Sequence, residues 1–384
     1  MKPTRSFILT LAALSLAVTA FAQSSKPASH QFLAYVGTYT AKTDSKGIYA
    51  LDFESETGKL TLRGLAAEAP DPSWLALHPS GKYVYVANEA GKQSTISAFS
   101  VDAKSAKLTL LNQLPALGED PCYLSFDKTG KYLFVANYTS GNVVVFPIFP
   151  NGKLGEHTAL VRDSGTLGPN KERQEGPHAH WIESSPDNRF VFIADLGLDA
   201  ILSFRFDATK GTLTPNDPPF AKLAPGAGPR HATFSFNGKF VFVVSELNST
   251  VTTFSYDRKK GSLNEPQTVS TLPKDYRGRN DTAEIALHPS GRGLYASNRG
   301  HDSIAVFRID DFKGTLTSVG IFLTDGKEPR HFALDPTGQF LLAENQNSNN
   351  IVVFRLDVVT GGLQEVSRLN NVPSPVNLVF LPLP

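Results

Sequence analysis

From Pro229 to Glu246 the hydrophobic pattern changes halfway along. Phe234 and Phe236 alternate with polar neighbours, Asn237-Gly238 interrupts, and Phe240 to Val244 follows as an unbroken apolar run. Period-two alternation predicts a strand with one buried face, an Asn-Gly pair suits a primed hairpin turn, and a short β-branched and aromatic run predicts a buried strand. In an antiparallel hairpin the start of one strand lies beside the end of the next. Arg230 is therefore predicted to meet Glu246 at one rim of the hairpin.

The same layout recurs from Pro72 to Glu89, Pro121 to Tyr138, Ala179 to Leu196, Thr282 to Arg299 and Pro329 to Gln346. Each predicted turn carries Gly or Asn, at Gly81, Gly130, Asn188, Gly238, Gly291 and Gly338. A third apolar run follows every hairpin, such as Asn142 to Phe146 or Val251 to Phe254, and then a fourth segment opening on Lys-Leu, Thr-Leu, Ser-Leu or Gly-Leu. A long fixed period of four-stranded units predicts a β-propeller.

The ends of the repeat region are incomplete in complementary ways. Gln31 to Tyr39, Gly47 to Phe53 and the segment from Lys59 give three strands with no hairpin partner in front. Val376 to Leu381 is one strand with nothing after it. Placed as the innermost strand of the first blade, it closes a ring of seven blades over residues 31–384 and removes free sheet edges.

Composition narrows the function. Lys and Arg total 37 against 36 Asp and Glu, and no basic stripe appears, which disfavours nucleic acid as a partner. Residues 1–22 read as a cleaved signal peptide, with Lys2 and Arg5, an apolar run from Phe7 to Ala20, and Ala20-Phe21-Ala22 as the cleavage site. That run is short for a membrane span. Residues 23–30 read as a flexible leader, and the mature chain is expected to be exported, to a bacterial periplasm or medium, and free of the membrane. Cys122 has no cysteine partner and is expected to be a small buried hydrophobe.

Aligning the repeats places equivalent positions in rings. Asn88, Asn137, Asp195, Ser245, Asn298 and Asn345, with Thr38, form one ring at the ends of second strands and suit structural ties between blades. The next position holds Glu89, Glu246 and Arg299 among Tyr39, Tyr138, Leu196 and Gln346. The starts of first strands give Ser73, Cys122, His180, Arg230, Ala283 and Arg330, with Val376 in the closing strand. These positions face one mouth of the ring, as does the longest link, Arg162 to Gly176. Several cations around one or two carboxylates suit a small anionic ligand, because Arg pairs with carboxylate or phosphate in bidentate fashion. A His and a Glu in one cavity can work as acid and base. His180, Glu246 and Arg230 are the candidate catalytic residues. His178, Arg299, Arg330, Glu89 and His331 are candidates for substrate binding. His231 and His331 also suit a structural role, one residue deeper in the strand. His178-Ala-His180 invites a metal reading, but a metal needs three or four ligands, and the surrounding Arg residues oppose a cation. No metal and no cofactor is expected. His78 and His288 lie in His-Pro-Ser-Gly turns at the opposite end and suit turn support.

The stretches Arg173 to His180, Gly228 to His231, Ala283 to Arg292, Ser297 to Phe307, Glu328 to His331 and Glu344 to Gln346 resemble the lactonase family of seven-bladed propellers. That family groups propeller-type 6-phosphogluconolactonases with fungal carboxy-cis,cis-muconate cyclases. The resemblance spans about residues 31–384 and implies metal-free lactone chemistry at the central mouth. It implies a His, a Glu and Arg residues there, matching His180 or His178, Glu246, Arg230 and Arg299. The expected function is hydrolysis of an anionic sugar-acid lactone. The alternatives are a lactonising, muconate-type cycloisomerase and a non-enzymatic exported propeller that binds a small anion or a partner protein. The export signal sets this chain apart from the cytoplasmic phosphogluconolactonase step.

Overall fold

Residues 31–357 and 360–382 are described by a computed structural model; the signal peptide and leader expected at residues 1–22 and 23–30 lie outside the described residues. The repeats fold as seven antiparallel sheets of four strands each. Pro375–Pro382 pairs with Gln31–Thr38, from Phe32 opposite Pro382 to Gly37 opposite Asn377, and so becomes the innermost strand of the first blade. Each innermost strand touches the next around the ring, and Pro329–Leu334 of the seventh blade touches the closing strand. The fold is a closed seven-bladed β-propeller, as the repeats predict.

Apolar faces of neighbouring blades supply the core. Trp181, Phe192 and Ile201 of the fourth blade pack against Phe234, Val241 and Phe254 of the fifth. Phe53 of the first blade meets Phe340 of the seventh edge to face, with ring centroids 5.6 Å apart. Fully burying one such aromatic contributes roughly 1.5–3 kcal/mol.

The hairpin ends away from the mouth show why the six turn residues are Gly or Asn. All six adopt left-handed φ, from 61° at Asn188 to 75° at Gly291, a region costly for most side chains. The turns are longer than the two-residue form the Asn237-Gly238 pair suggests. The first strand stops at Phe234, Gly238 N–H donates to Ser235 O at 2.8 Å, and Phe236 sits in the turn, 68% exposed. His78 and His288 tie these turns to the following blade, donating to Gly130 O at 3.0 Å and Gly338 O at 2.8 Å. The outer strand of the third blade also departs from the repeat. It shrinks to Ala159–Arg162, with an isolated bridge between Ile148 and Leu154 standing in for its start.

The ring of Asn residues is structural. Asn88, Asn137, Asn298 and Asn345 are buried and donate to the carbonyls of Pro70, Ala116, Thr271 and Thr324, each just outside the outer strand of the preceding blade. Thr38 Oγ1 donates to Gly47 O at 2.5 Å.

One irregularity repeats in every blade and positions the mouth. Pro229 pairs with Ser245 and His231 with Val244, so Arg230 is left without a partner across the ladder. The same break isolates Ser73, Cys122, His180, Arg330 and Val376. In the sixth blade it isolates both Ala283 and Glu284. A β-bulge bends the strand and re-aims the extra side chain. Here it stands at the mouth end of each innermost strand.

Candidate active site

Glu246 is buried among three guanidinium groups. It follows the second strand of the fifth blade, and its backbone N–H donates to Gly228 O at 2.7 Å, which brings its side chain beside Arg230. Glu246 Oε2 is 3.0 Å from Arg230 Nε and 3.0 Å from an Arg299 terminal nitrogen. Glu246 Oε1 accepts from Arg173, which reaches in from the link between the third and fourth blades. The Arg230 Nε–H is not aligned on the carboxylate, so that contact is an ion pair and not a directed hydrogen bond. Backbone carbonyls hold both deep guanidinium groups. Arg230 donates to Ala283 O at 2.7 Å, and Arg299 donates to Asp281 O at 3.2 Å. Burial alone would raise the Glu246 carboxyl, but Arg299, Arg230 and Arg173 overturn that and hold it well below the usual carboxylate range. Burial, with Arg299 and Arg330 nearby, lowers Arg230 to about 10, so it stays charged at neutral pH.

The two histidines of the His178-Ala-His180 segment part company. His180 occupies the bulge and faces the channel, with Nδ1 3.5 Å from Cys122 Sγ and its ring 5.0 Å from that of His231. Burial and then Arg230 push its imidazole well below the ordinary range, so it is neutral at pH 7. His178 is caught at the rim. Its ring stacks on Tyr138 at 4.5 Å, Nδ1 lies 3.0 Å from Tyr138 O, and Nε2 lies 3.2 Å from Glu175.

Arg330 is half-buried and lies over the Tyr39 ring at 5.3 Å. Glu89 is also half-buried and accepts from the Tyr39 hydroxyl at 2.9 Å. Arg230 and Arg330 line one tight cavity with Glu89, Ser73, Cys122, Trp74, His231 and Val376, with room for about one water. A larger crevice lies between the sixth and seventh blades beside His288 and Arg292, at the turn end and away from these groups.

Below the mouth, His331 takes part in a buried chain. His231 Nδ1 is 3.0 Å from Glu284 Oε2, His331 Nε2 is 3.8 Å from the same oxygen, and His331 Nδ1 is 2.6 Å from Glu344 Oε2. Burial would lower His331, but Glu344 outweighs it and raises the imidazole. Burial and then Arg230 lower His231. Arg230 NH1 is 3.4 Å from both ring nitrogens of His231, so the guanidinium lies against the ring face.

The structure thus brings together His180, Glu246, Arg230 and Arg299, with Arg330 and Glu89 in the adjoining cavity, and leaves His178 at the rim and His331 beneath. Sequence reasoning missed Arg173 and Glu284 as members. Arg173 was findable as a guanidinium on the link predicted to cross the mouth. Glu284 was hidden because repeat alignment gives Ala283 as the equivalent position, whereas the sixth blade alone leaves two residues outside the ladder. Among the described residues, no three His, Cys, Asp or Glu side chains converge as a bound cation would require.

A closed ring with this family's motifs at its mouth defines a class. Residues 33–380 match the family described as lactonase, 7-bladed beta-propeller, and the chain belongs to that family. Its relatives include a 6-phosphogluconolactonase of Bacillus subtilis, 36% identical over 79% of this chain and 84% of its own. Another, from Formosa agariphila and likewise named 6-phosphogluconolactonase, is 37% identical over 78% of this chain and 85% of its own. Among solved structures, the periplasmic gluconolactonase PpgL of Pseudomonas aeruginosa superposes with a TM-score of 0.87 at 32% identity, covering 92% of this chain and all of that one.

Proposed function

We propose that this protein hydrolyses an anionic sugar-acid lactone at the mouth of the propeller, without a metal. The observation that carries the reading is a buried carboxylate set among three guanidinium groups beside a neutral imidazole. Arg230, Arg299 and Arg330 supply cations for the substrate's anion and for the oxyanion that develops on the attacked carbonyl. Glu246 and His180 are both unprotonated near neutrality, so either can take the proton of the attacking water. The water oxygen bonds to the carbonyl carbon, the ring C–O bond breaks, and that proton passes to the leaving oxygen. Cations already surround Glu246, so a metal has no free carboxylate to bind there.

A substrate like 6-phosphogluconolactone is supported by the names of the relatives and by the excess of Arg over carboxylate at the mouth. Export is supported by the pattern of residues 1–22 and by the likeness to a periplasmic gluconolactonase. Purified mature protein, assayed against phosphorylated and neutral sugar lactones with and without chelator, tests the reading. Hydrolysis that survives chelation is expected. Activity that vanishes with chelator and returns with a divalent ion would overturn the metal-free mechanism. Formation of lactone from the open acid as the faster direction would place the protein with the cycloisomerases.

A further inference from the structure

The two oxygens of Glu246 have unlike partners. Oε2 faces Arg230 and Arg299, whose side chains are 3% and 9% exposed and are fixed by backbone carbonyls. Oε1 faces Arg173, whose side chain is 32% exposed. The other contacts of Arg173 are long, 3.8 Å to Asp281 Oδ1 and 3.4 Å to the Tyr138 hydroxyl. Its backbone is nonetheless anchored. The buried amide of Gln174 donates to Leu196 O at 2.8 Å and Asp199 Oδ1 at 2.7 Å, and its carbonyl accepts from Asn170 N at 3.0 Å. The guanidinium can therefore pivot without the link opening. Arg173 also lines an open, largely polar groove with Glu172, Asn248, Arg279, Asn280 and Asp281, in which Arg279 is paired with Asp281 at 3.1 Å.

We propose that Arg173 is a recognition switch: an anionic group at the far end of the bound sugar-acid lactone draws its guanidinium off Glu246 into the groove, and the freed Oε1 takes the proton of the attacking water. The inference rests on the lactonase reading above. One charge-assisted pair replaces another, so the exchange is close to balanced in energy, and a phosphate offers the guanidinium fork more acceptors than a carboxylate does. A proton leaves water for Oε1, the hydroxide oxygen bonds to the carbonyl carbon, and Oε1 returns the proton to the ring oxygen as the C–O bond breaks. The cations facing Glu246 are Arg299, Arg230, Arg173 and the more distant Arg330, with the neutral His180 beside them. Removing one of these cations raises the basicity of the carboxylate. The switch thus couples base strength to the presence of the correct substrate.

Arg173→Gln tests this, because the position is partly exposed and the substitution leaves the Gln174 anchor in place. Calorimetry with 6-phosphogluconate, glucarate and gluconate reads recognition independently of turnover. The variant is expected to bind 6-phosphogluconate at least about tenfold more weakly, a loss of about 1.4 kcal/mol, and gluconate within about twofold of wild type. Glucarate separates a terminal carboxylate from a phosphate as the group recognised. Kinetics reads release. On neutral gluconolactone kcat should rise in the variant, and the acid limb of its pH profile should move to higher pH, while kcat/KM on the phosphorylated lactone falls. A uniform loss on both lactones, or an unchanged binding ratio between the acids, would overturn the switch. Selective acid binding that depends on Arg173, in a protein that opens no lactone, would refute the lactonase reading and keep the recognition role. A wild-type protein that binds none of these acids would overturn both.

Discussion

Arg230 and Glu246 sit sixteen residues apart in sequence and 3.0 Å apart in space, joined because a bulge turns Arg230 out of the ladder beside the strand end that carries Glu246. Their roles separate by substitution. Glu246→Gln keeps the shape and removes the base, and should lower kcat by roughly 10² to 10⁴. Arg230→Lys keeps the charge and loses the planar fork, and should mainly raise KM. Melting temperature recorded for each variant keeps the two readings apart. Activity and stability falling in step would make this pair a structural clasp, and full activity in Glu246→Gln would remove it from the mechanism.

His180 and His78 lie at opposite ends of their hairpins. His180→Ala should reduce turnover with a modest change in melting temperature. His78→Ala should leave turnover intact and lower the melting temperature, because it cuts the link to Gly130. The reverse pattern would put the chemistry at the wrong end of the ring.

Ring closure rests on the pairing of Pro375–Pro382 with Gln31–Thr38. A chain ending at Ser374 should lose cooperative melting, because Gln31–Thr38 loses its ladder partner and Pro329–Leu334 of the seventh blade loses the strand it packs against. A truncated chain that melts like the full one would contradict closure as a source of stability.

Acid stability reports on His180. Its folded imidazole is held below the ordinary range, so the unfolded chain binds a proton first as pH falls through about 6.5. The His180 contribution is therefore present above that pH and declines below it, by up to about 1.4 kcal/mol per pH unit until the folded group also protonates. His331, Glu284 and Glu344 are raised and carry the opposite sign. The informative measurement compares wild type with His180→Gln in denaturant midpoints from pH 7.5 to 5. The variant should lose stability less steeply, and parallel curves would show that His180 is not held neutral by the fold.

The fold was legible because each blade repeats the same apolar and turn pattern, and because the two chain ends are incomplete in complementary ways. The contact between Arg230 and Glu246 was legible because both lie in one hairpin. What escaped was the direction of side chains at bulges and the contacts between blades other than the Asn ties. His178 and His180 look equivalent by spacing, yet one extra residue outside the ladder sends His180 into the channel and leaves His178 stacked on Tyr138. The chain from His231 through Glu284 and His331 to Glu344 joins three consecutive blades, and its members adjoin only once those blades pack side by side.

The repeated bulge has a consequence for how such a mouth can change. At each of these positions the backbone takes no part in cross-strand pairing, so the identity of the side chain is nearly independent of the sheet that carries it. Ser73, Cys122, His180, Arg230, Arg330 and Val376, with Ala283 and Glu284 together in the sixth blade, then amount to a short word written on a constant page. Rewriting a letter alters charge, size or acid strength at the axis without disturbing strand registration. A ring of this kind can pass from one ligand chemistry to another by single substitutions, while its blades stay as they are.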